Sequence, residues 1–200
     1  MVLTERPVQL NGSALARGLL RLAGWRMQFT GLPARQGVVI VYPHTSNWDF
    51  PLGMLTKWGA GVPITFWGKD RLFKLPLVGR WMRWVGGVPV DRHAPRGVVG
   101  QMGEALKAAR LNDRFMWLAL SPEGTRRYHD AWRSGFYHVT LAAGVPLGLA
   151  YFDYAKRVVS VDHFITLSGQ VDADMAEIAA YLARGVGKRP EQAAPIRIKP

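Results

Sequence analysis

The chain reads as a single α/β domain of three layers, with a central mostly parallel or mixed sheet preceded by an N-terminal amphipathic helix. Three observations predict this. Short, continuously apolar runs alternate with stretches of helical period, as expected for strands buried on both faces and joined by crossover helices. At 200 residues the chain is long enough for one domain with a sizeable core. Its 48% hydrophobic and 20% charged residues are those of a globular protein, and no internal repeat is visible.

Taken in order, residues 13–29 have the spacing of an amphipathic helix. Leu15, Leu19, Leu22 and Phe29 share one face, and Arg17, Arg21 and Gln28 the opposite one. Such a helix either packs on the body or rests in a lipid interface. Gly31-Leu32-Pro33 ends it, and 38–42 is an apolar strand. A helix follows over about 50–58, a strand over 62–67 ending in Gly68-Lys69-Asp70, and a turn and helix over 71–84. A brief extended segment, 88–90, leads to Asp91-Arg92. Residues 97–110 form a helix and 115–120 a strand that runs into Ser121-Pro122-Glu123-Gly124-Thr125-Arg126-Arg127. A helix over 137–143 stops at Gly144, and strands follow over 147–151 and 158–167. Asp172 or Asp174 caps a last helix that runs to about Arg184.

The charge limits the partners. Twenty-six Lys and Arg against fourteen Asp and Glu give +12, a field that attracts nucleic acid, anionic lipid head groups, phosphorylated substrates or acidic carrier proteins. Eight tryptophans, several beside basic residues as in Trp81-Met82-Arg83-Trp84, suit a membrane interface, although any one of them reads first as core. With no cysteine, the chain has no disulfide, thiolate zinc ligand or thiol nucleophile. His93, His129, His138 and His163 follow no metal-ligand spacing, so no metal site is expected. Neither a signal peptide nor a spanning helix is expected. The longest uncharged stretch, 134–152, is broken by Gly135, Gly144, Pro146 and Gly148.

Three loops behind strands carry polar residues. The first holds His44-Thr45-Ser46-Asn47-Trp48-Asp49. Neutral imidazole takes a proton near pH 7, and a carboxylate on its far nitrogen fixes the tautomer. By itself the pair reads first as a helix start, with Ser46 or Asn47 as N-cap and Asp49 in the first turn. The second loop holds Asp91-Arg92, which alone is a surface ion pair; the third holds Glu123 to Arg127, alone a polar turn. Ligands of open α/β sheets sit outside the carboxyl ends of strands, so the three loops could converge on one site.

Together these blocks resemble the glycerolipid acyltransferases of the lysophosphatidate acyltransferase (1-acylglycerol-3-phosphate O-acyltransferase) type. His44 and Asp49 match a first His-x4-Asp block, Gly86 to Arg92 a second, Ser121 to Arg126 a third Pro-Glu-Gly-Thr-Arg block, and Val145-Pro146-Leu147 a fourth. Serine stands at 121 where many relatives carry phenylalanine, and threonine at 45 where many carry glutamine. The resemblance implies that His44 is a general base oriented by Asp49. The acceptor's phosphate and glycerol would be bound by Arg92, Glu123, Gly124, Thr125 and Arg126, with Ser46, Asn47 and Lys69 also assigned to substrate.

The function expected is O-acyl transfer from acyl-CoA or acyl carrier protein to a lysophospholipid or related glycerophosphate hydroxyl, without a cofactor. The protein would lie peripherally on the cytoplasmic face of the inner membrane, with no specific nucleic-acid partner. Residues 1–34 would supply a helix that touches the membrane, 35–184 the acyltransferase domain and 185–200 a basic, mobile tail. Two alternatives remain at this point: a non-catalytic basic binder of membrane or nucleic acid, and an acyl hydrolase using the same pair.

Overall fold

The computed structural model describes residues 1–90 and 97–199 and, among these, all side chains but those of Lys69, Val90 and Val98. Eight strands form one mixed sheet: β1 Val2–Leu3, β2 Arg26–Gln28, β3 Gln36–Tyr42, β4 Ile64–Lys69, β5 Gly87–Val90, β6 Met116–Leu120, β7 Leu147–Asp153 and β8 Val158–Ile165. Their order is β1-β8-β7-β3-β6-β4-β5, and β2 also pairs with β8. Strands β3 to β7 are mutually parallel where they pair; β8 runs antiparallel to β7 and to β1.

Helices cover both faces, because β3 buries both sets of its alternating side chains. Val38 and Ile40 point into a cluster with Leu106 of α5 (Gly97–Leu111), Phe136 of α6 (Gly135–Ala143) and Ile178 of α7 (Val171–Leu182). Val39 and Val41 point the other way, towards Ala60 and Leu52 of α2 (Asp49–Ala60) and Leu20 of α1 (Ala14–Leu22). The expected three-layer α/β fold is the one observed. The predicted 71–84 helix divides into α3 (Asp70–Phe73) and α4 (Pro76–Trp84), since Pro76 starts a new helix where its missing N–H is not needed.

Two expectations are corrected. The helix predicted over 13–29 stops at Leu22, Gly24 takes a φ of +77°, and Arg26–Gln28 becomes β2 alongside β8. A glycine at positive φ ends a helix at little steric cost, and the apolar spacing had masked it. Neither Asp172 nor Asp174 caps α7 from outside; both lie in its first turn, and Asp174 accepts the Ser168 and Gly169 amides of the preceding loop. The tail from Gly185, expected as a basic and mobile segment, packs on the body of the domain. The Val186 amide donates to Phe152, Ile198 bridges Trp132, and Ala194 is fully buried. Its basic side chains face outward while its backbone completes the core, which composition alone does not reveal.

Gly37 shows how tightly the sheet is filled. It lies in register with Trp117 of β6, whose buried indole fills the space where a Cβ on residue 37 would stand. Gly37→Ala is therefore expected to cost about 1–3 kcal/mol through overpacking. A fall in thermal midpoint with unchanged secondary structure would show it.

Candidate active site

The site lies where sheet topology opens a crevice. From β3 the chain crosses through α2 to β4 on one side; from β6 it crosses through α6 to β7 on the other. Adjacent parallel strands whose connections diverge leave a gap at their carboxyl ends, and polar residues from both loops meet there.

The β3 loop delivers His44 and Asp49. His44 Nδ1 lies 3.1 Å from Asp49 Oδ2, with Asp49 almost fully buried and the imidazole partly open. Asp49 Oδ2 also accepts the Ser46 amide at 2.8 Å, and its Oδ1 accepts the Tyr154 hydroxyl at 2.7 Å. Burial pushes the Asp49 carboxyl up, but donors from His44, Tyr154 and Ser46 outweigh it and hold the group below the ordinary range. Asp49 is therefore an ionised, fixed partner for the ring, the arrangement that keeps Nδ1 protonated and leaves Nε2 as acceptor. The cap reading needs correction: the residue before α2 is Trp48, which makes no side-chain cap, and Ser46 Oγ accepts the Trp48 amide.

The β6 loop delivers Glu123, which is 3% exposed. Its Oε2 accepts the His44 amide at 2.5 Å and its Oε1 the Ala194 amide at 3.0 Å. Burial raises the Glu123 pKa, against the lowering effect of those two amides. Both oxygens of this carboxylate, which was expected on the acceptor, accept backbone amides, and so tie the histidine loop to the C-terminal segment. Gly124 takes a φ of +68°, as its place in the turn requires. Arg126 reaches across to donate from Nε to the Ser46 carbonyl at 3.1 Å, which holds its guanidinium beside the His44 loop. Thr125 Oγ1 accepts the Arg127 amide within the same turn, and Asn47 is exposed. Arg92 and the side chain of Lys69 lie outside the described residues.

Tyr154 is the residue that sequence reasoning missed. It follows β7, outside all four blocks, with its ring edge-on to Trp25 at 4.9 Å. Only the carboxylate's need for a second donor hints at it. Tyr154→Phe removes a charge-assisted hydrogen bond worth about 1.5–3 kcal/mol, so kcat is expected to fall about tenfold. A depressed carboxyl pKa stabilises the fold above the ordinary value of 3.8, and that contribution is lost as pH falls through the folded value. The variant moves the folded value back towards 3.8, so less stability depends on Asp49 ionisation and the loss of stability below that pH should be shallower in unfolding curves.

A model of the family described as acyltransferase matches residues 26–148. The chain belongs to the acyltransferase family. The family expected from the four blocks is thus the one matched, and the enzyme class follows from it. This acyltransferase also shares its fold with the 1-acyl-sn-glycerophosphate (LPA) acyltransferase PlsC from Thermotoga maritima. The two are 18% identical with a TM-score of 0.56, over 84% of this chain and 74% of that one. No match was found among curated proteins. Among the described residues, no helix of this acyltransferase is long and apolar enough to cross a membrane.

Proposed function

We propose that the protein transfers an acyl group from a thioester, acyl-CoA or acylated carrier protein, to the hydroxyl of a lysophospholipid or related glycerophosphate. His44 Nε2 takes the hydroxyl proton as the oxygen attacks the thioester carbonyl. The tetrahedral intermediate collapses with cleavage of the C–S bond, and the imidazolium returns the proton to the departing thiolate. Asp49 stabilises that imidazolium. The chemistry needs no cofactor besides the donor.

The observation that carries this reading is the 3.1 Å contact between His44 Nδ1 and a buried Asp49 whose other acceptor sites are filled by Ser46 and Tyr154. Arg126, held beside that loop, supplies a planar donor for the acceptor phosphate, and Arg92 and Lys69 belong to the same proposed set. Glu123 serves the site by fixing the His44 backbone. The charge of +12 and the exposed Leu15, Leu19 and Leu22 of α1 support peripheral work on a lipid surface, at the cytoplasmic face of the inner membrane.

The test is thiol release from acyl-CoA or acyl carrier protein with a panel of lysolipids, with products identified by mass spectrometry. Acylated lipid forming only with acceptor present is expected. Free fatty acid formed at the same rate without acceptor would make the protein a hydrolase. Salt-sensitive nucleic-acid binding with no turnover on any thioester would make it a binder.

A further inference from the structure

We propose that α4 is a lipid-seating helix whose exposed face continues that of α1 as one surface fitted to an anionic bilayer. The proposal rests on the reading that the acceptor is a membrane lipid, and names the partner surface of that site. In α4, Leu77, Trp81 and Trp84 recur at i, i+4 and i+7 and are 81%, 47% and 74% exposed, while Gly79 and Met82 face inward. A short helix that turns two indoles and a leucine outward leaves apolar surface that water does not favour.

The surface is continuous. Trp84 meets Trp58 of α2 at 6.1 Å, and Trp58 in turn lines an open apolar groove with Leu15, Leu19 and Leu55. At the other end Trp81 lies 5.9 Å from Phe50, the residue next to Asp49. Lipid resting on this face therefore lies beside the histidine loop. That is the placement an enzyme needs if a lysolipid hydroxyl is to reach Nε2 without leaving the interface.

Charge selects the occupant. Arg80 and Arg83 follow on one margin of the α4 arc, and both are exposed. Indoles at head-group depth beside arginines that reach phosphate oxygens match an anionic lipid interface. A second copy is the poorer fit, since a two-fold contact would set this patch, arginines included, against itself.

The experiment measures co-sedimentation of the full chain with phosphatidylcholine vesicles containing 0 or about 30% phosphatidylglycerol, a range that separates apolar from electrostatic attraction. L77S/W84S is compared with L111S, which removes an equally exposed leucine from α5. Wild type and L111S are expected to bind anionic vesicles alike, and L77S/W84S about tenfold or more weaker, given the apolar area removed. Equal binding by all three overturns the proposal. So does light scattering that shows a dimer in wild type and a monomer in L77S/W84S. Vesicle binding needs no turnover, so H44A should bind like wild type. L77S/W84S should keep transfer to a short-chain, monomeric lysolipid. Vesicle binding without transfer to any acceptor would sink the acyl-transfer reading and leave the lipid seat standing.

Discussion

His44→Ala is expected to lower acyl transfer by about 10²–10⁴, the usual contribution of a general base, with the fold unchanged. The imidazole is partly open and its Nδ1 partner is a buried carboxylate already held by Ser46 and Tyr154, so removing the ring leaves Asp49 with donors. The loss should appear in kcat rather than in KM for either substrate, because the ring acts on the proton moved in the transition state. Asp49→Asn should be nearly as severe. An amide can present its NH₂ to Nδ1 and force the wrong tautomer, and it cannot stabilise the imidazolium. Full thiol release by H44A, measured on protein with wild-type circular dichroism, would remove the histidine from the mechanism.

Glu123→Ala is expected to be the most damaging change to stability. It strips the acceptor from the part-buried amide of His44 and the buried amide of Ala194, at up to about 1–3 kcal/mol for each orphaned donor. A total of about 2–6 kcal/mol is a large share of the 5–15 kcal/mol that holds a typical domain folded. Tyr42, whose hydroxyl donates to the Ala194 carbonyl, would lose its partner as the C-terminal segment lifts. Glu123→Gln keeps one carbonyl oxygen and should lose about half as much. Thermal unfolding separates the two variants. The clip predicts that E123A also frees the segment around Ala194 to proteolysis at a rate that E123Q does not match. If E123A retains wild-type stability while only KM for the acceptor rises, the carboxylate touches substrate after all.

The fold was largely legible because its signals are local. The apolar run before His44, the helical spacing after Gly97 and the strand before Ser121 each follow from short-range pattern, and they define β3, α5 and β6 within a residue or two. Features set by partners distant in sequence were misread. β2 exists because Arg26–Gln28 finds a free edge of β8, more than a hundred residues away, and no spacing within the segment encodes that. The tail has the charge and prolines of a loose end, yet Glu123 and Phe152 hold its backbone.

The candidate site divides the same way. By itself the sequence determined the alternating α/β order, the chemistry available in the loops behind β3 and β6, and the His44–Asp49 spacing that puts base and carboxylate in one turn. Side-chain periodicity and loop chemistry are properties of neighbouring residues, so they can be read along the chain. Only the tertiary structure decided that Tyr154 holds the far oxygen of Asp49 and that Glu123 fixes the histidine backbone. It also decided that Trp84 of α4 meets Trp58, which lines a groove with Leu15 and Leu19 of α1. Those facts depend on which strands pair and which faces remain uncovered, and that is settled by burial across the whole domain.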